Sequence, residues 1–183
     1  FGDIFFEKRQ RKGVTQFEAR KLMRERNYFG SMLLELGEAD ALVSGISRNY
    51  PSTLRPALQI IGTEKGVDKV AGMFIMNTKK GTLFLADTTI NINPTAEELA
   101  NIATLTAKAV KRFNMSPRIA MLSYSNFGSS NTLGAKKIIK AIELFKKQNK
   151  NLVIDGEIQV DFALNKEKRD NIFPFAKLKE NAN

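Results

Sequence analysis

The chain has 183 residues, 29 Lys and Arg against 19 Asp and Glu, a formal net charge of +10, and no His, Cys or Trp. Those zeros exclude a Ser-His-Asp triad, a cysteine nucleophile, a His/Cys zinc site, haem ligation by His and any disulfide. Acid–base chemistry is left to carboxylates, Lys, Tyr, Arg-polarised groups or the ligand's own atoms. Hydrophobic residues at 43% and charged residues at 26% fit a globular chain with a buried core. No apolar run approaches the ~20 residues of a membrane span, so no membrane partner is expected. The opening Phe1–Glu7 lacks an initiator Met and a basic leader, and reads as a cut from something longer rather than a secretion signal.

Thr15 to Glu18 form a capping box that opens a helix to about Arg26. Asn27 starts a second set of turns, with Phe29, Met32, Leu33 and Leu36 at helical spacing and Gly37 closing it. Ala39–Ser44 reads as a short apolar strand, and a helix follows from Ser52 or Thr53, with Pro56 in its first turn and Gly62 at its end. Val70–Met76 and Thr82–Ala86 form a hairpin. Thr95 and Glu98 make a second capping box, for a helix burying Leu99, Ile102, Ala103, Thr106, Val110 and Phe113. Arg118–Ser123, a helix over Thr132–Gln148 and Leu152–Asp155 make a strand–helix–strand unit, expected as a right-handed parallel crossover. The fold class is therefore α/β, with a mixed sheet, helices on both faces and one hairpin.

Fifteen of the basic residues fall after residue 105, many on one face of the helix Thr132–Gln148, as solvated helix surfaces do. No nucleic-acid-binding motif accompanies them, so no nucleic-acid partner is expected.

Ligands in open α/β sheets sit beyond the carboxyl ends of strands. Two loops occupy that position. One sets Ser52, Thr53 and Arg55 near a helix N-terminus, where amides and a guanidinium suit a phosphate or carboxylate; the bland alternative is a cap and a surface ion pair. The other, Tyr124–Asn131, offers Ser125, Asn126, Ser129 and Ser130 around Gly128, where backbone and ligand can approach closely; its bland alternative is a polar turn capping the next helix. Asp40, Asp87, Asp155 and Asp161 near strand ends read as turn or cap residues, and Met73, Met76, Met115 and Met121 as core filler. No residue is assigned as catalytic or as a metal ligand.

Glu38–Gly45, Thr53–Ile61, Asn93–Ala100 and Arg118–Ser125, in this order and spacing, resemble the phosphate acetyl/butyryltransferase family. Arg9–Thr15, Lys21–Phe29, Ser123–Ser130 and Phe173–Leu178 resemble most the version of that domain at the C-terminus of bacterial hybrid malic enzymes. The resemblance implies a three-layer α/β/α architecture in two parts, like isocitrate and isopropylmalate dehydrogenases, with the ligand in the cleft between them. On this chain it maps residues 1–62 to the first part, 67–164 to an inserted second part and 165–183 to a truncated return segment. It implies a fragment of a longer, cytoplasmic protein that forms homodimers or larger assemblies. It also implies acetyl-CoA as a regulatory ligand held by Thr53, Arg55, Ser125, Asn126, Ser129 and Ser130. The malate reaction, with NADP and a divalent metal, would belong to a domain outside this chain, and the fragment alone would be inactive. The alternative it carries is a phosphate acetyltransferase, moving acetyl between CoA and phosphate.

Overall fold

The computed structural model describes residues 1–67 and 69–183. The chain divides into two compact units at Asp68/Lys69.

The first unit is helical: α1 Gly2–Arg9, α2 Gln16–Leu22, α3 Arg26–Glu35 and α4 Tyr50–Ile60. Its core is Phe5, Ala19, Met32 and Ile60, one residue from each helix. The sequence reading placed no element before Thr15, yet α1 forms and buries Phe5 completely. The Thr15–Glu18 capping box is present, but its helix ends at Leu22, short of the expected Arg26; the second set of turns expected from Asn27 is α3, which starts at Arg26. Gly37 follows α3 with φ 73°, the left-handed conformation that a closing residue needs.

Two expectations fail here. Ala39–Ser44 is not a strand: it has no backbone partner among the described residues, and Val43 and Ile46 are almost wholly exposed. A strand exists only through its ladder, and an apolar run cannot supply one alone. The next helix begins earlier than expected, because Asn49 rather than Ser52 caps it: Asn49 Oδ1 accepts from Ser52 N at 3.0 Å. Pro56 thus lies inside α4, not in its first turn. It has no N–H to give the Ser52 carbonyl four residues back, and Asn27 Nδ2 donates to that oxygen instead, at 3.2 Å.

The second unit contains β1 Met73–Thr78, β2 Gly81–Ala86, α5 Ala96–Arg112, β3 Arg118–Leu122, α6 Leu133–Gln148, β4 Val153–Ile158, α7 Val160–Ala163 and α8 Lys166–Ile172. The hairpin is present as an antiparallel β1–β2 pair, shifted to start at Met73. The crossover is present as a parallel β3–β4 pair joined through α6. Among the described residues these are two separate two-stranded sheets, not one mixed sheet. The α5 capping box holds, and α5 and α6 pack Ala100, Ala103, Ile142 and Phe145 against Ile154 of β4. Phe113 falls outside that face: it follows the last turn of α5, is 53% exposed and lies against the Phe84 ring. Met76 is also exposed rather than core filler.

Residues 165–183 fold with this unit. Asn165 caps α8, and Arg169 is fully buried. Its guanidinium donates to the carbonyls of Phe162, Ala163 and Glu180. Asp155 accepts from the amides of Lys177 and Leu178, anchoring the tail against β4. No helix among the described residues is long and apolar enough to cross a membrane.

Candidate functional site

In the first unit, Thr53 and Arg55 lie inside α4 rather than at its open end. The Thr53 hydroxyl donates to the Asn49 carbonyl at 3.3 Å, so it reinforces the first turn. Arg55 is exposed and has no ion-pair partner among the described residues. Nearby, Tyr28 donates its hydroxyl to Gln59 Oε1 at 2.7 Å. Burial raises the Tyr28 phenol above its usual value, and the Arg55 and Arg9 charges oppose that rise. Both guanidiniums therefore act on one phenol. Among the described residues Arg9 also lacks an ion-pair partner, and its buried Nε has no hydrogen bond there. Two guanidiniums without carboxylates are suited to hold an anion. Sequence reasoning singled out Arg55 and missed Arg9. Arg9 lies in a basic run with no helix cap to draw attention to it.

In the second unit, the loop after β3 is held by the end of β4. Ser123 N donates to the Ile158 carbonyl, and Phe127 N to that of Glu157. Asn126 is paired on both sides with Gln159: Oδ1 accepts from Gln159 N and Nδ2 donates to Gln159 Oε1, each at 2.8 Å. Gln159 Nε2 in turn donates to the Tyr124 carbonyl at 2.8 Å. Ser125 is buried, with its hydroxyl 3.2 Å from that of Ser123. Ser129 Oγ accepts from Asn126 N at 3.0 Å. Ser125 and Asn126 are thus committed to the loop's own shape.

Ser130 belongs to a different group. Its hydroxyl is 2.8 Å from the Tyr124 hydroxyl, which is 2.6 Å from Thr132 Oγ1, the N-cap of α6. These hydrogen bonds, Ser130's first, lower the Tyr124 phenol below its usual value. Tyr124 is largely exposed, so three hydroxyls gather at a solvent-facing helix start. A cavity of about 720 Å³ opens beside them. Asp87, Ser123, Tyr124 and Lys137 line it along with many apolar side chains, such as Leu99 and Ile138. Among the described residues no group of three or more carboxylates is placed to hold a metal ion.

The comparisons with known proteins agree on the family. The model for phosphate acetyl/butaryl transferase matches residues 1–183, and the chain belongs to that family. It is 41% identical over 180 residues to an NADP-dependent malic enzyme of Haemophilus influenzae, covering 98% of this chain and 24% of that protein. It is also 41% identical over 179 residues to a phosphate acetyltransferase of Bacillus subtilis, covering 98% of this chain and 55% of that one. Among solved structures, a phosphotransacetylase from Streptococcus pyogenes superposes with a TM-score of 0.87 at 40% identity, over 100% of this chain and 56% of the other. The chain thus spans between a quarter and just over half the length of these relatives. The fold is the α/β fold of phosphotransacetylases, in a domain that malic enzymes and phosphate acetyltransferases share.

Proposed function

We propose that this chain is an acetyl-CoA-binding, phosphotransacetylase-like regulatory domain of an NADP-dependent malic enzyme, whose attached catalytic domain decarboxylates malate oxidatively to pyruvate and CO2. The observation that carries the reading is a contrast between charges. Among the described residues Arg9 and Arg55 have no carboxylate partner, while the carboxylates of β4 each hold backbone amides: Asp155 two of the tail and Glu157 that of Gly128. The guanidiniums of the first unit suit a phosphorylated coenzyme, and in the second unit both β4 carboxylates are engaged by amides rather than set out as a general base. Arg55 and Arg9 pair with phosphate oxygens in the first unit. The second unit on its own offers the hydroxyls of Tyr124, Ser129 and Ser130 to such a ligand, with Ser125 and Asn126 behind them shaping the loop. NADP and a divalent metal serve the malate reaction in the other domain, and the whole protein works in the cytoplasm as a homodimer or larger assembly.

A second reading, a phosphate acetyltransferase, draws support from the equal identity to the Bacillus subtilis enzyme. There the CoA thiolate attacks the carbonyl carbon of acetyl phosphate. The C–S bond forms, the C–O bond to phosphate breaks, phosphate leaves, and the thiol proton passes to solvent. Guanidiniums and backbone N–H groups stabilise the developing charge.

Calorimetric titration with acetyl-CoA, beside an assay of acetyl phosphate plus CoA, separates the two readings. The first expects saturable acetyl-CoA binding, weakened at least tenfold by Arg55→Ala, with no acetyl transfer above background. Transfer that Arg55→Ala abolishes establishes the second, and an absence of both binding and transfer rejects both.

A further inference from the structure

The β3–β4 ladder slips at its end: Met121 pairs with Gly156 and Leu122 with Ile158, leaving Glu157 opposite no residue. A bulge of this kind turns a residue out of the ladder and re-aims its groups. Glu157 is wholly buried, yet the groups it is aimed at belong to the loop. Its carbonyl accepts from Phe127 N at 2.8 Å, and its carboxylate Oε1 accepts from Gly128 N at 3.0 Å. One side chain and its own backbone thus hold two successive amides.

Those amides belong to a costly turn. Ser129 N donates to the Asn126 carbonyl at 2.9 Å, closing a four-residue turn whose central residues have φ of 43° at Phe127 and 87° at Gly128. Two positive φ values in sequence are those of a type I′ turn, which prefers Asn or Gly at its first central position. Phe there is unfavourable by roughly 1–2 kcal/mol. The Phe127 ring offsets part of this by packing edge-on to Phe173 and Phe175, at 5.1 and 5.2 Å between centroids. The rest falls to the two hydrogen bonds that Glu157 accepts from these amides. Oε2 of Glu157 is buried without a partner among the described residues, so the carboxylate is retained despite an unsatisfied oxygen. The bond to Gly128 is the interaction that accounts for its presence.

We propose that Glu157 is the positioning residue of the ligand loop: by holding the amides of Phe127 and Gly128 it fixes the turn that sets Ser129 and Ser130 for acetyl-CoA. This rests on the acetyl-CoA reading for its ligand, but the turn itself is tested separately. Amide hydrogen exchange and acetyl-CoA titration are measured on the 183-residue chain and on Glu157→Ala and Glu157→Gln. In Glu157→Ala, exchange at Phe127 and Gly128 rises at least tenfold while the α6 amides of Ala141 and Ile142 keep their protection, and acetyl-CoA affinity falls at least fivefold. Glu157→Gln, which keeps an acceptor oxygen, restores both to within twofold. If Glu157→Ala does not fold, Glu157→Asp, whose carboxylate is withdrawn by one methylene, carries the same expectations. Unchanged exchange at Gly128, or an equal rise across α6, overturns the proposal. If the unaltered chain binds no acetyl-CoA, the functional reading fails, and the exchange pattern alone decides the role of Glu157 in the turn.

Discussion

The two units handle similar sequence material differently. Ala39–Ser44 and Arg118–Leu122 are both short, mostly apolar runs ahead of a capped helix, yet only the second is a strand. Arg118–Leu122 has β4 beside it, delivered by α6, and the pair buries Ile154 under two helices. Ala39–Ser44 has helices as its neighbours in sequence and no ladder among the described residues. Backbone polar groups make a strand only where another backbone completes them. The first unit is therefore held by one helix-to-helix core, the second by ladders, a buried guanidinium and a clamped loop.

The second unit's dependence on a few buried polar groups is tested most severely at Arg169. Arg169→Ala leaves three carbonyls without their donor and is expected to cost roughly 4 kcal/mol, read as a lower midpoint in urea unfolding. A loss below about 1 kcal/mol would show that the tail does not need it. Next comes Gly156→Ala. A Cβ there would lie 2.6 Å from the Met121 carbonyl oxygen, where φ is 132°, and the expected loss is about 3 kcal/mol, confined to the second unit in hydrogen exchange.

The capping boxes allow a matched comparison. Thr15→Ala and Thr95→Ala each remove a cap and should each cost about 1 kcal/mol. A large inequality in calorimetry would mean that one unit unfolds without the other. Their glutamates give a pH signature. Hydrogen bonds from Thr15 lower Glu18, while the Lys69 ammonium and then the Thr95 amide lower Glu98. Because the folded values lie below the unfolded ones, the stabilisation is fully present above the ordinary glutamate range. It is lost as the pH falls through the depressed folded values. Acid melts should show that loss in both units, and Glu18→Gln with Glu98→Gln should flatten it.

The smallest effect belongs to the run that failed to become a strand. Val43→Asp replaces an almost fully exposed side chain and should change stability by less than about 0.5 kcal/mol. A drop of 2 kcal/mol or more would mean that Val43 is buried in solution, and would narrow the contrast between the units.

Much of the fold was legible in local chemistry. Both capping boxes, the closing glycines and the hairpin each rest on residues within one helical turn or one loop of each other, and the strand–helix–strand unit on the period of each of its segments. The loop Tyr124–Asn131 was legible for the same reason, being a cluster of small polar residues between a strand and a helix. What holds it was not. Glu157 and Gln159 lie about thirty residues away in sequence, and Glu157 falls beyond the expected strand end at Asp155, inside the longer β4. Asn126 looked like a ligand residue because its amide is polar, and only the pairing with Gln159 shows where that amide is spent.

The sequence by itself determined the absence of imidazole and thiol chemistry, the two capping-box helix starts, the α/β class and, through four motifs in register, the family. These are properties of single residues or of short spacings. Tertiary structure decided which apolar runs became strands, where Pro56 could sit, which carboxylates were consumed by amides, and that the charges of Arg9 and Arg55 both act on the Tyr28 phenol. Each of those outcomes depends on a hydrogen bond or a charge contributed by a residue distant in sequence, and no local pattern encodes the distance.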